Sequence, residues 1–156
     1  KLPALQRVTG NVHGPTSSLA ASDRGVQLDA PALVEIGGSE VVSYGEMLYR
    51  CLDAVEQLRA GGIDVGLINK TTLNVCDEAM LAAVGTSPFA LIVESQNSRT
   101  GLGIRYGTWL LEKGYAPKYA AMGTSKIGHG GLDEQLPHQG LAVADIKERI
   151  KTLAGA

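Results

Sequence analysis

Aromatic residues are scarce in this chain of 156 residues: they make up 4%, with one Trp and one Phe. A core of this size must therefore be packed from Leu, Val, Ile and Ala. Cysteine is nearly absent, with only Cys51 and Cys76. That excludes a disulfide framework and points to a reducing, intracellular and most simply cytoplasmic setting. No apolar run approaches the roughly 20 residues of a membrane span, and no signal-peptide pattern opens the chain. The formal net charge is −2, and Lys and Arg form no cluster. A nucleic-acid partner would demand a basic footprint, so that class is excluded. Among catalytic signatures there is no GxSxG elbow, HExxH helix, P-loop or CxxC pair. The sequence opens at Lys1 without a methionine, which predicts a fragment, a processed form or a shortened piece.

What is present reads as α/β. Val41 to Asn69 organises the rest. A β-branched run ends at Tyr44-Gly45. Met47, Cys51, Val55 and Leu58, widened by Leu48 and Leu52, then fall at spacings of three and four. Such spacing lays one apolar stripe on a helix, and Cys51 on that stripe reads as a small buried thiol. Gly61-Gly62 stops the helix and Val65 to Ile68 resumes an extended run, completing a βαβ unit with parallel strands. Upstream, Ala32 to Ile36 is a short strand. Gly37-Gly38 then predicts a hairpin onto Glu40–Tyr44, antiparallel to it.

Downstream, Asp77 is placed to cap a short helix carrying Met80, Leu81 and Val84. Phe89 to Val93 is a continuous apolar run, the mark of a strand buried on both faces. It is read as ending at Glu94, with a polar loop over Ser95 to Thr100. Gly101-Leu102-Gly103 opens a further helix that stops at Gly114. Tyr119 to Met122 is a strand, Gly123 to Gly131 an irregular loop, and Leu132 to His138 one or two helical turns. A last helix carries Val143, Ile146, Ile150 and Leu153. The predicted fold is a three-layer α/β sandwich: a five-stranded, mostly parallel sheet with one antiparallel edge strand. Residues 1–31 form a loop-rich lead-in or the tail of an upstream domain, and residues 32–156 the α/β domain.

Ligands of open parallel sheets bind beyond the carboxyl ends of the strands. That rule singles out Tyr44, Asn69 and Glu94, together with Gly101 and Gly103 at a helix start. Glu94 has two readings. A carboxylate straight after an apolar strand contacts a ligand or an interface, or it is a structural group satisfied by neighbouring amides. Gly101 and Gly103 offer a helix amino terminus to an anion, or let the helix pack tightly on the sheet. His129, in its glycine-rich loop, is a further ligand or interface candidate; His129 and His138 lack Cys, Asp or Glu at ligand spacing, so no metal site is expected. No residue is assigned as catalytic.

Taken in order, these landmarks resemble the carboxy-terminal domain of transketolase-type enzymes. The carrying segments are Ser39–Met47 with Ala54–Leu58, Gly62–Asn69 with Thr72-Leu73 and Asp77, and Leu91–Glu94 before Gly101–Gly103. His129-Gly130 with Gly140-Leu141 completes the set, which covers Leu33 to Leu153. Val75 stands where Pro is usual, Ser95 where a second Glu is common, and Thr100 where Gly is common. The nearest likeness is to transketolases and deoxyxylulose-phosphate synthases; the beta subunits of 2-oxoacid dehydrogenases share the earlier landmarks. The resemblance implies an assembly or interface domain of an enzyme that uses thiamine diphosphate and Mg to transfer ketol units. The cofactor itself would be held elsewhere, because the family's GDG motif is absent. It also implies partners: thiamine-binding domains or subunits in a homo- or hetero-oligomer. The alternatives are a dehydrogenase beta-subunit domain and a stand-alone binder of small anions.

Overall fold

The computed structural model describes residues 32–35, 38–128 and 131–156. Four strands run parallel: β2 (Glu40–Ser43), β3 (Gly66–Asn69), β4 (Phe89–Asn97) and β5 (Lys118–Thr124), in the spatial order β3-β2-β4-β5. A further short strand, β1, spans Ala32–Glu35. The helices are α1 (Met47–Ala60), α2 (Glu78–Thr86), α3 (Leu102–Glu112), α4 (Leu132–Gln139) and α5 (Val143–Ala154). The lead-in of residues 1–31 and His129 lie outside the described residues.

Side-chain alternation on the strands splits the core in two. Val41, Leu67, Leu91 and Val93 point to one face, where they pack with α1 (Met47, Cys51, Val55) and with Ile146 and Ile150 of α5. Val42, Ile68, Ala90 and Ile92 point to the other, against Leu81 and Val84 of α2 and Leu102, Tyr106 and Leu110 of α3. The two-residue period of a strand and the three-to-four-residue period of a helix thus meet on both faces of the sheet.

Local signals hold where chemistry is local. The α1 stripe is buried as its spacing predicts. Gly62, just past the helix end, takes a φ of 91° that a side chain would resist. Asp77 caps α2, its Oδ1 accepting from the Met80 N–H at 3.0 Å. One stripe-face residue is unexpected: Arg59 is buried. Its Nη1 donates to the Val65 carbonyl at 3.0 Å and lies 3.8 Å from Asp64, tying the end of α1 to the entry of β3.

Two expectations are corrected. The Gly37-Gly38 pair predicts a hairpin with β2, yet β2 has parallel neighbours on both edges, β3 and β4. All four of its residues are buried, a burial that suits a central strand and leaves no edge for a hairpin partner. β4 also does not end at Glu94. It continues to Asn97, which pairs with Thr124 after a register shift beyond Val93, and the Ser98 N–H donates to the Thr124 carbonyl at 3.0 Å. Ladder bonds at the rim carry the strand past the point where its side chains turn polar. Among the described residues, no helix is long and apolar enough to cross a membrane.

Candidate functional site

The carboxyl ends of β2 and β4 bring Tyr44 and Glu94 together at the start of α3. Gly101 stands at the N-cap and has no side chain to offer, so the first amides of α3 need an acceptor from elsewhere. Glu94 supplies it. Its Oε2 accepts from the Leu102 N–H at 2.8 Å and its Oε1 from the Gly103 N–H at 2.8 Å. The Tyr44 hydroxyl donates to Oε2 at 2.9 Å. Glu94 is 1% exposed. A buried carboxylate is tolerable here because three donors and the positive end of a helix face it.

The two glycines have distinct reasons. A Cβ on Gly101 would stand 2.2 Å from Glu94 Oε2. One on Gly103 would meet the Ala121 Cβ of β5 at 2.6 Å, so this glycine sets the close approach of α3 to the sheet. On the far side, the Tyr119 hydroxyl donates to the Gly103 carbonyl. Burial pushes the Tyr44 phenol well above its ordinary range, and the hydrogen bond and charge of Glu94 push it further. Burial does the same to Tyr119. Both phenols are therefore neutral donors at ordinary pH.

Of the sequence candidates, Tyr44, Glu94 and Gly103 thus form one hydrogen-bonded cluster, with Gly101 packed against its carboxylate. Asn69 does not join it. It is buried at the end of β3, in the row that runs through Ser43 to Val93, with β2 between it and β4. Next to the cluster lies an open cleft of about 360 Å³, lined by Tyr44, Leu73, Asn97, Thr100, Gly101 and Arg105 among others. Arg105 leans across it, Nη1 donating to the Leu73 carbonyl at 3.1 Å.

Sequence reasoning missed two polar devices nearby. Lys70 is buried, and its Nζ donates to the Val75 carbonyl at 2.8 Å, closing the connection between β3 and α2. Gln139, buried at the end of α4, clamps the loop after β5. Its Oε1 accepts from the N–H groups of Ser125 and Lys126, and its Nε2 donates to the Lys126 carbonyl, each at 2.9 Å. A buried lysine directly after a strand is a signal that could have been read; a lone glutamine on a short helix is not. Among the described residues, no group of three or more His, Cys, Asp and Glu side chains could hold a metal ion.

The sequence profile described as "Transketolase, C-terminal domain" matches residues 37–146. The chain belongs to the transketolase C-terminal domain family. Curated relatives carry the same kinship. A 1-deoxy-D-xylulose-5-phosphate synthase of Geobacillus thermodenitrificans is 28% identical over 120 residues, covering 72% of this chain and 19% of that protein. The synthase of a Parafrankia species is 23% identical over 163 aligned positions, covering 94% of this chain and 25% of the relative. The transketolase C-terminal domain described here thus spans about a fifth to a quarter of the length of these relatives. Among solved structures, one titled "Split gene transketolase, inactive beta4 tetramer" superposes with a TM-score of 0.72 at 19% identity. It covers 80% of this chain and 42% of that one, and the likeness is one of fold.

Proposed function

We propose that this domain is an assembly part of a transketolase-like enzyme that transfers two-carbon ketol units with thiamine diphosphate, and that it performs no catalytic step alone. The observation that carries the reading is the state of the α3 amino terminus. The amides that could cradle a phosphate or a diphosphate already hold Glu94, a ligand from the same chain. The donor set at the α3 amino terminus does not fit a diphosphate, because Glu94 already fills the anion cradle. The cofactor then belongs to other domains or subunits of the parent enzyme, and this domain contributes fold and contact surface. The printed title of the structural neighbour, a tetramer of one chain type called inactive, supports the same view.

The same filled cradle weighs against a stand-alone binder of small anions. We propose that β1 covers the β3 edge as an antiparallel fifth strand; the register that supports this sets Ala32 opposite Asn69 and Leu33 opposite Ile68. A covered edge leaves fewer open ladder groups to template unwanted pairing.

Titration calorimetry of the isolated chain with thiamine diphosphate and Mg is the test. No heat of binding is expected across the micromolar range. A saturable micromolar site on this chain would overturn the proposal.

A further inference from the structure

β5 lies at the end of the sheet, and among the described residues no strand pairs with its outer side. Its hydrogen-bonding parity is fixed. The Lys118 N–H donates to the Pro88 carbonyl at 3.2 Å, and the Thr124 carbonyl accepts from the Ser98 N–H. The even-numbered residues of β5 therefore turn their backbone groups to β4, and Tyr119, Ala121 and Gly123 turn theirs outward. From Tyr119 to Gly123 there is no charge and no proline. Natural folds blunt an open edge with such residues; this one is left able to pair.

The flanks of that edge fit a second copy of this chain. Pairing two β5 strands antiparallel about a two-fold axis at Ala121 sets Ala121 against itself and Tyr119 against Gly123. All three outward residues then bond, with about six ladder bonds in all. A two-residue slip leaves one of the three beyond the facing strand. Because α3 packs on both β4 and β5, the same axis sets α3 about 10 Å from its copy, the spacing of packed helices. Gly103 lies over Ala121 there, and the next residue, Ile104, is 53% exposed. Arg105 turns the other way, to the Leu73 carbonyl. Ile104 thus faces its own copy across the axis, and the helix amino termini that approach are already neutralised by Glu94. On the opposite face of the sheet, Asp145, Arg149 and Leu153 recur every four residues along α5. The Leu153 carbonyl accepts from Lys118 Nζ of β5 at 3.2 Å, whereas Lys147, on the other flank, reaches Gln57 of α1. The exposed Asp145 and Arg149 therefore border the β5 edge. The two-fold runs α5 antiparallel to its copy, which turns each Asp145 toward Arg149 of the second copy. A partner face of one charge would suit one of these residues and oppose the other; a two-fold copy suits both.

We propose that β5 is a self-association edge: two copies of this chain pair Tyr119–Gly123 antiparallel about Ala121, and the sheet continues across the two-fold. The inference needs only this chain and is independent of the thiamine reading above. The test combines sedimentation equilibrium of the full chain, from about 10 μM to about 1 mM, with amide hydrogen exchange read by NMR over the same range. A monomer–dimer equilibrium is expected. Exchange at the Tyr119, Ala121 and Gly123 amides should slow by roughly tenfold or more as the dimer forms, in excess of any change at the Ala120 and Met122 amides that face β4. Ile104→Glu sets two carboxylates face to face at the axis and should weaken the dimer by roughly tenfold or more. Arg149→Glu should weaken it by a smaller factor that shrinks as salt is added. Both side chains are exposed in the single copy, so the urea midpoints of both variants in dilute protein are expected to match the parent's, which separates association from folding. A chain that stays monomeric, a dimer in which the three amides exchange as in the monomer, or an association unmoved by Ile104→Glu overturns the proposal. Protection of the three amides at every concentration means that the edge is covered within one copy, and overturns it as well.

Discussion

Replacing Glu94 by alanine removes one acceptor group and leaves three donors without it: the Leu102 and Gly103 amides and the Tyr44 hydroxyl. Both amides lie at buried residues. Each orphaned buried donor costs about 1–3 kcal/mol. Water entering the space vacated beside the cleft recovers a share, and the desolvation of the carboxylate is no longer incurred. A net loss of about 3–4 kcal/mol follows from those terms, larger than the ~1 kcal/mol of an ordinary exposed N-cap. For a domain of this size that corresponds to a fall in Tm of about 6–16 °C. Glu94→Gln keeps the shape and one acceptor oxygen but turns an N–H toward one amide, so its cost should be about 1–2 kcal/mol. Urea unfolding followed by far-UV circular dichroism measures both, with the midpoint falling and the slope unchanged. An alanine variant within about 1 kcal/mol of the parent, or a glutamine variant worse than alanine, would refute the view that Glu94 caps α3.

Two further outcomes follow from burial. The Tyr44 phenol is held neutral in the fold, first by burial and then by Glu94, whereas in the unfolded chain it ionises near pH 10. Its contribution is therefore fully present below about pH 10 and is lost as the pH climbs further. Tyr44→Phe should flatten the fall in urea midpoint above about pH 10, and unchanged slopes for variant and parent would count against this. The Cys51 thiol is pushed up to about 12 by burial, with a hydrogen bond from Ser43 opposing. In native protein near pH 8, Ellman's reagent should label the half-buried Cys76 first and Cys51 only on unfolding; equal rates at both would sink the idea.

Much of the fold could be read in advance because its causes are local. The spacing of Met47, Cys51, Val55 and Leu58, the run from Phe89 to Val93 and the cap at Asp77 each fix a structure within a few residues. Strand order is not local. The hairpin expected at Gly37-Gly38 gives way because β2 must lie between β3 and β4 to bury all four of its residues. The carboxyl-edge rule found Tyr44 and Glu94 but also gathered in Asn69. Two strand spacings, about 10 Å, separate the ends of β3 and β4, and no sequence pattern measures that. Which role Glu94 plays stayed open in the sequence, since a carboxylate that meets a ligand and one that meets amides are spelled alike. In the fold the carboxylate accepts from the Leu102 and Gly103 amides, each at 2.8 Å.

The contact between Gly101 and Glu94 also restricts the routes by which this domain can change. Any side chain at position 101 would begin 2.2 Å from the carboxylate, and the carboxylate is pinned by Leu102, Gly103 and Tyr44. Position 101 cannot leave glycine while Glu94 stays. Position 94 cannot leave glutamate without stranding the amides that only a side-chain-free N-cap lets it reach. The two residues specify each other, so a lineage that abandons the arrangement must cross a less stable intermediate or replace both at once. Descendants of this fold should keep them as a pair or lose them as a pair.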